Sequence, residues 1–293
     1  MLYDITLRIA YSYDYPADSS RHVIRLAPAD IAGEQRQVAG TVNVEPKPDE
    51  WRVQSDFFGN RTAEFAYFSS HAKTGLSVHS RVERFEVERN MASSPSFDEL
   101  ALEIANFKSL EPWAPHHFTG SSSRVPIDAA TTRYAREQVT GEISVLDAVV
   151  KIGEALHRDF RYDPKATTVE TPMMTAFKWR RGVCQDFSHI MIACLRGLGI
   201  PAAYVSGYLR TTPPPGKKRL EGADAMHAWV RAWCGTAMGW VEYDPTNATF
   251  VKSDHIVIAR GRDYSDVAPI KGILRSHGKH TSTQKVDVVP IKQ

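Results

Sequence analysis

Cysteine is scarce in this chain. Cys184, Cys194 and Cys234 are the only three in 293 residues, an odd and sparse count that is no disulfide framework. No Cys-x-x-Cys pair and no histidine-rich cluster has zinc-ligand spacing, so neither a metal nor another cofactor is expected. An excess of charge of one sign is lacking too. Lys plus Arg is 36 and Asp plus Glu is 34, for a net charge of +2. That balance argues for no nucleic-acid partner and no anionic membrane surface. Long apolar runs are absent: Ile190–Leu198 is interrupted by Arg196, and a membrane span needs about 20 mostly apolar residues. The first residues alternate and carry Asp4 and Arg8, without the basic start, apolar run and small residues of a secretory leader. They read as a strand, and the protein as cytoplasmic. Glycine and proline, 18 and 17, are too few for a low-complexity chain. With 42% hydrophobic and 24% charged residues, the composition is that of a folded globular protein.

The first ninety residues alternate in six short runs: Asp4–Tyr13, Arg21–Leu26, Gln37–Val44, Trp51–Gln54, Thr62–Phe68 and Leu76–Val87. Turn residues such as Pro46-Lys47-Pro48-Asp49 and Phe58-Gly59-Asn60 separate them, which predicts an antiparallel β-sandwich-like unit over 1–90. Asn90–Ser96 has loop chemistry and marks the boundary. The second unit, 91–293, mixes helices with strands. Phe97–Phe107, Ile127–Val139, Ser144–Phe160 and Val183–Leu198 have helical spacing, whereas Ala202–Arg210, Met226–Cys234 and Trp240–Asp244 read as strands. Thr211–Gly222, with three prolines and Gly216-Lys217-Lys218-Arg219, reads as a solvated loop. The fold class is α+β.

The chemistry concentrates at Arg181-Gly182-Val183-Cys184-Gln185-Asp186-Phe187-Ser188-His189. Gly182 frees the backbone just before a helix, and Cys184 falls in its first turn. Phe187, Ile190, Met191, Cys194, Leu195 and Leu198 form an apolar stripe that seats the helix and places Cys194 in the core. The free N–H groups and positive dipole end then point at the Cys184 sulfur and favour thiolate, the nucleophilic form. A thiolate needs a base, and that base needs an orienting acceptor. His227 in Met226-His227-Ala228-Trp229-Val230 offers the first, and Asp244 in Trp240-Val241-Glu242-Tyr243-Asp244-Pro245 the second. Two adjacent antiparallel strands joined through Gly235–Gly239 would bring His227 and Asp244 together. Each residue alone is weak: a lone cysteine is usually a small buried hydrophobe, and an Asp before Pro usually a turn residue. The three in fitting local structure are far more specific.

Gly-Val-Cys-Gln-Asp-Phe-Ser-His, Met-His-Ala-Trp-Val and Gly-Trp-Val-Glu-Tyr-Asp-Pro-Thr-Asn resemble the three core motifs of the transglutaminase-like superfamily. The bacterial branch described as cysteine proteases is the nearest likeness. Phe160–Pro164, Gly199–Ala202, Tyr204–Tyr208 and Gly261–Pro269 extend it, and the β-rich start is similar to the N-terminal region of that branch. The resemblance implies a papain-like core with Cys184 as nucleophile, His227 as general base and acid, and Asp244 as orienting carboxylate. Unlike animal transglutaminases, the chain has no loop with calcium-ligand spacing.

The leading expectation is a cysteine-dependent enzyme that opens an amide through a thioester, with a peptide, protein or other amide as substrate. Hydrolysis is favoured because no residue marks an amine-binding site. Transamidation, an amidase acting on a glycan–asparagine type of linkage, and a non-catalytic binding module on the same fold are the alternatives. Other polar residues are read conservatively. Asp186 is a helix-start acid or buried pair, Trp179 packs in the core, and His189 is exposed or bonded to a neighbour. His116 and His117 have no motif partner, and His255 and His277 stand in the tail without metal-ligand companions.

Overall fold

A computed structural model describes residues 1–87, 93–211, 222 and 224–291. Part of the expected boundary at Asn90–Ser96 and the basic run Gly216-Lys217-Lys218-Arg219 lie outside the described residues. Six strands come first: β1 (Leu2–Ala17), β2 (Ser19–Ile24), β3 (Gln35–Glu45), β4 (Glu50–Ser55), β5 (Arg61–Tyr67) and β6 (His71–Arg84). The alternation that predicts them also buries one face of β1, β2 and β6, whereas β4 is exposed along its length. Tyr3, Ile5, Leu7 and Ile9 face inward from β1, whereas Asp4 and Arg8 face water. β1 pairs with β6 in antiparallel register, Leu7 opposite Val78, and β3 lies beyond β6; β2 pairs with β5, and β5 with β4.

Both three-stranded ribbons are completed from the far end of the chain. β15 (His280–Ile291) runs along β1 with Val288 opposite Ile5, and β14 (Ile270–Arg275) runs along β2. The result is two four-stranded antiparallel sheets, β15-β1-β6-β3 and β14-β2-β5-β4. The tail assigned by sequence to the second unit thus supplies a strand to each sheet of the first.

Between these ends lies an α+β core. Its helices are α1 (Phe97–Asn106), α2 (Ala129–Gln138), α3 (Val145–Asp159), α4 (Met173–Trp179), α5 (Cys184–Gly197) and α6 (Tyr264–Val267). Ser96 and Ser144 start α1 and α3 as capping boxes with Glu99 and Asp147. The short strands β7 (Arg161–Tyr162) and β8 (Arg181–Gly182) pair in parallel. β9 (Ala202–Leu209), β10 (Ala225–Trp233), β11 (Trp240–Asp244), β12 (Thr249–Phe250) and β13 (His255–Gly261) form one antiparallel sheet in the order β12-β11-β10-β9-β13.

α5 packs on β9 and β10 and is covered from behind by α2, α3 and α4. Phe187, Ile190, Met191, Cys194 and Leu195 are buried as the stripe predicts, each large side chain contributing about 1.5–3 kcal/mol. The rest of the helix departs from the expectation of a single apolar face: everything from Gln185 to Arg196 is buried. Most of its long polar side chains are bonded, whereas the Ser188 hydroxyl is buried without a partner among the described residues. Arg196 donates to the carbonyls of Ala202, Gly120 and Arg262, and His189 accepts the Tyr264 N–H.

The two regions are joined through polar contacts at β13. The Gln35 side chain donates to the Val257 carbonyl and accepts the Val257 N–H, both at 2.8 Å. Asn60 makes the same reciprocal pair with Arg260, again 2.8 Å each way. The Arg260 guanidinium bridges Glu34 at 2.6 Å and Glu242 at 2.5 Å.

Candidate active site

The site is assembled at the start of α5 and the open end of the β10–β11 hairpin. Val183 caps α5 without a side-chain bond, so the neighbouring residues hold this terminus. Asp186 is buried, and its Oδ2 accepts the Val183 N–H at 2.8 Å and the Thr167 hydroxyl at 2.6 Å. It is therefore both the helix-start acid and the buried partner that the sequence offered as alternatives. A methyl on Gly182 would fall on this carboxylate, which is why glycine stands there. With its terminus fixed, α5 presents the half-buried Cys184 at its first position, on the positive end of the helix dipole.

The hairpin supplies the other two groups. Arg231 faces Glu242 across the strands, and Gly235 and Gly239 close the turn at positive φ. His227 lies four residues back on the Arg231 face of β10, and Asp244 two residues on along the Glu242 face of β11. They meet diagonally, His227 Nε2 to Asp244 Oδ2 at 2.7 Å. Their side chains are 8% and 0% exposed. With Nε2 committed to Asp244, Nδ1 is the ring nitrogen left to face the Cys184 thiol, which is close enough to act on the His227 pKa. His227 is thus hydrogen-bonded to Asp244 and electrostatically coupled to Cys184.

Burial alone would lower the His227 pKa. The bond to Asp244 and then Cys184 outweigh it and raise the value to about 10. Burial would likewise raise Asp244, but the hydrogen bonds from His227, His255 and Asn247 hold it far below the ordinary carboxylate range. Imidazolium and carboxylate are therefore the favoured pair at neutral pH. Cys194 is fully buried, donates to the Thr131 carbonyl and is pushed up to about 12 by that burial; Cys234 is buried as well.

Two residues take different places from those expected, and His189 takes the bonded one of the two offered it. His255 is far from solitary: it is buried, and its Nε2 lies 3.3 Å from Asp244 Oδ2. Only the fold of β13 against β9 brings it there, and no local spacing announces it. Trp179 is half-exposed beside Arg181, because it ends α4 at the surface, where Arg180 turns the chain at positive φ. His189 is buried, its ring tied to the Tyr264 amide, and burial first of all drives its pKa down to about 3, so it stays neutral. Sequence reasoning also passed over two tyrosines near the sulfur. Burial first, and Cys184 next, raise the phenols of the exposed Tyr162 and the buried Tyr204, so both remain O–H donors at neutral pH. Among the described residues, His227, Asp244 and His255 also form a three-donor set with ligand atoms within 4.8 Å, already closed by its own hydrogen bonds.

Comparison with known proteins follows the same outline. Residues 132–245 match the transglutaminase-like superfamily, and residues 3–83 the bacterial transglutaminase-like N-terminal region. An uncharacterized protein of Mycobacterium tuberculosis is 33% identical, spanning 99% of this chain and 93% of its own length. An uncharacterized Mycobacterium leprae protein is 32% identical over 92% of this chain and 91% of its own. A crystal structure of a Cytophaga hutchinsonii protein described as a candidate cysteine protease superposes with a TM-score of 0.80 at 21% identity. That likeness covers all of this chain and 91% of the other, and it concerns the fold.

Proposed function

Because the chain belongs to the transglutaminase-like superfamily, we propose that it is a cysteine-dependent acyl-transfer enzyme that hydrolyses peptide or isopeptide amides. The observation that carries this reading is the His227–Asp244 hydrogen bond at 2.7 Å beside the thiol that opens α5. The Cys184 thiolate attacks the amide carbonyl carbon. The carbonyl electrons move to oxygen, and the free amides that open α5 stabilise the oxyanion. The C–N bond breaks as imidazolium gives its Nδ1 proton to the leaving amine, which departs neutral and leaves a thioester. Water then attacks, neutral His227 takes its proton, and thiolate and carboxylic acid are released. Asp244 holds the ring orientation throughout and stabilises the imidazolium.

The test combines alkylation with turnover. Iodoacetamide should label Cys184 before Cys194 or Cys234, and His227→Ala should slow labelling at pH 6 by at least about tenfold. Peptide and isopeptide substrates should be cleaved by the wild type and not by Cys184→Ala, with acid as the product even when an amine is supplied. Amine incorporation would instead make the enzyme a transamidase. Absence of selective labelling would leave a binding module on this fold.

A further inference from the structure

We infer that His255 is a positioning residue of this site, holding the Asp244 carboxylate in the orientation that receives His227. The inference rests on the proposed pairing of Cys184 with His227 and adds a residue to it.

Geometry assigns the ring its tautomer. The Lys252 backbone N–H points at His255 Nδ1 at 3.5 Å. An N–H can only donate, so Nδ1 is the acceptor and the ring proton sits on Nε2. That nitrogen lies 3.3 Å from Asp244 Oδ2, the same oxygen that receives His227 Nε2 at 2.7 Å and Asn247 Nδ2 at 2.6 Å. The other oxygen, Oδ1, accepts the N–H groups of Thr246 and Asn247. The Thr246 and Asn247 donors lie on the loop just beyond β11, whereas His227 reaches Oδ2 from β10 and His255 from β13, at the far edge of the sheet. His255 therefore joins His227 in holding the carboxylate against rotation toward its own loop.

The ring is itself held. Trp229 packs edge-on against it, with centroids 5.2 Å apart, and Gly207 makes room for that indole. The Trp229 indole N–H is anchored on Glu242 at 2.9 Å. The groups facing His255 are Asp244 from β11, His227 and Trp229 from β10 and the Lys252 amide. Asp244 is the one anion among them, so an Nε2–H donor suits the place. The competing view is that His255 only fills space beside Trp229.

The experiment compares His255→Gln with His255→Met. The Gln amide nitrogen reaches the position of Nε2 and donates, whereas Met fills similar volume without a donor. Iodoacetamide labelling of Cys184 is followed from pH 5 to pH 8, with melting temperatures measured alongside. For Met, labelling at pH 6 should slow by roughly tenfold, the low end for loss of a hydrogen bond to a charged group. Gln should restore most of it, and the two variants should melt alike. A wild-type pH profile in the Met variant, or equal impairment in both, overturns the inference. If the Met variant does not fold, the imidazole 15N shifts of the wild type decide. A neutral Nε2–H ring at position 255 supports the inference, and a neutral Nδ1–H ring or an imidazolium at pH 7 overturns it. Failure of the underlying pairing looks different: His227→Ala would then leave Cys184 labelling unchanged, which sinks both.

Discussion

Asp244 accepts five hydrogen bonds from His227, Asn247, His255 and the backbone of Thr246 and Asn247, and has no exposed surface. This changes what the isosteric Asp244→Asn substitution should do. An amide must turn its N–H2 toward donors on one side or the other. The variant should lose turnover, by up to about 10⁴-fold if the carboxylate acts as in a serine-protease triad. It should also lose about 1–3 kcal/mol of stability through the unsatisfied bonds. Turnover assays beside urea melts check both, and unchanged values in each would remove Asp244 from the site. The pH dependence of stability follows from the same pair. His227 is raised on folding, so its contribution is complete below the unfolded value near 6.5 and fades as pH rises toward about 10. Asp244 is lowered, so its contribution is present above its ordinary value of 3.8 and lost in acid. The melting-temperature gap between wild type and His227→Ala should therefore be wide near pH 6 and shrink by pH 10. A constant gap would contradict the charged pair.

At the scale of single elements, the start of α5 depends on one close approach. Gly182→Ala places a methyl on the Asp186 carboxylate that ties Val183 and Thr167 together. Overpacking of this kind costs about 1–3 kcal/mol, and Cys184 labelling should fall with it; a variant that labels at the wild-type rate would show that the thiol does not need this fixed start. The elements that mattered most were legible in the sequence. The inward alternation of β1 and the spacing of Phe187, Ile190, Met191 and Leu195 are local patterns, and so is the hairpin that aligns His227 with Asp244. β14 and β15 were not legible. Ile273 and Leu274 of β14 are exposed, and only Val286 and Val288 of β15 are deeply buried, so neither strand alternates clearly. Their partners lie more than two hundred residues away, a pairing that no window along the chain contains. His255 escaped for a different reason: Asp244 is only eleven residues away, but the contact is set by how β13 folds back against β9, not by a local periodicity.

For the molecule as a whole, the first and last strands lie side by side, and the sandwich cannot be completed until β15 is available. A chain cut after Pro269 lacks β14 and β15, leaving β1 and β2 with unpaired backbone groups and the core without Val286 and Val288. It should show no cooperative melt, or should precipitate, although Cys184, His227 and Asp244 are all present. Circular dichroism with size-exclusion chromatography decides this; a soluble, cooperatively melting fragment would show that three strands per sheet suffice.

The amides of Gln35 and Asn60 have a consequence beyond joining two regions. β13 is the outermost strand of its sheet, and a bare outer strand is a template on which another chain can polymerise. Each amide presents one donor and one acceptor to that strand, as a neighbouring backbone would, so two side chains stand in for a sixth strand. They act as stoppers against self-association. Replacing both with alanine should show itself in concentration-dependent growth of high-molecular-weight species on light scattering. A double variant that scatters like the wild type at high concentration would mean that the loops around Ala29 and Asp56 seal the strand without them.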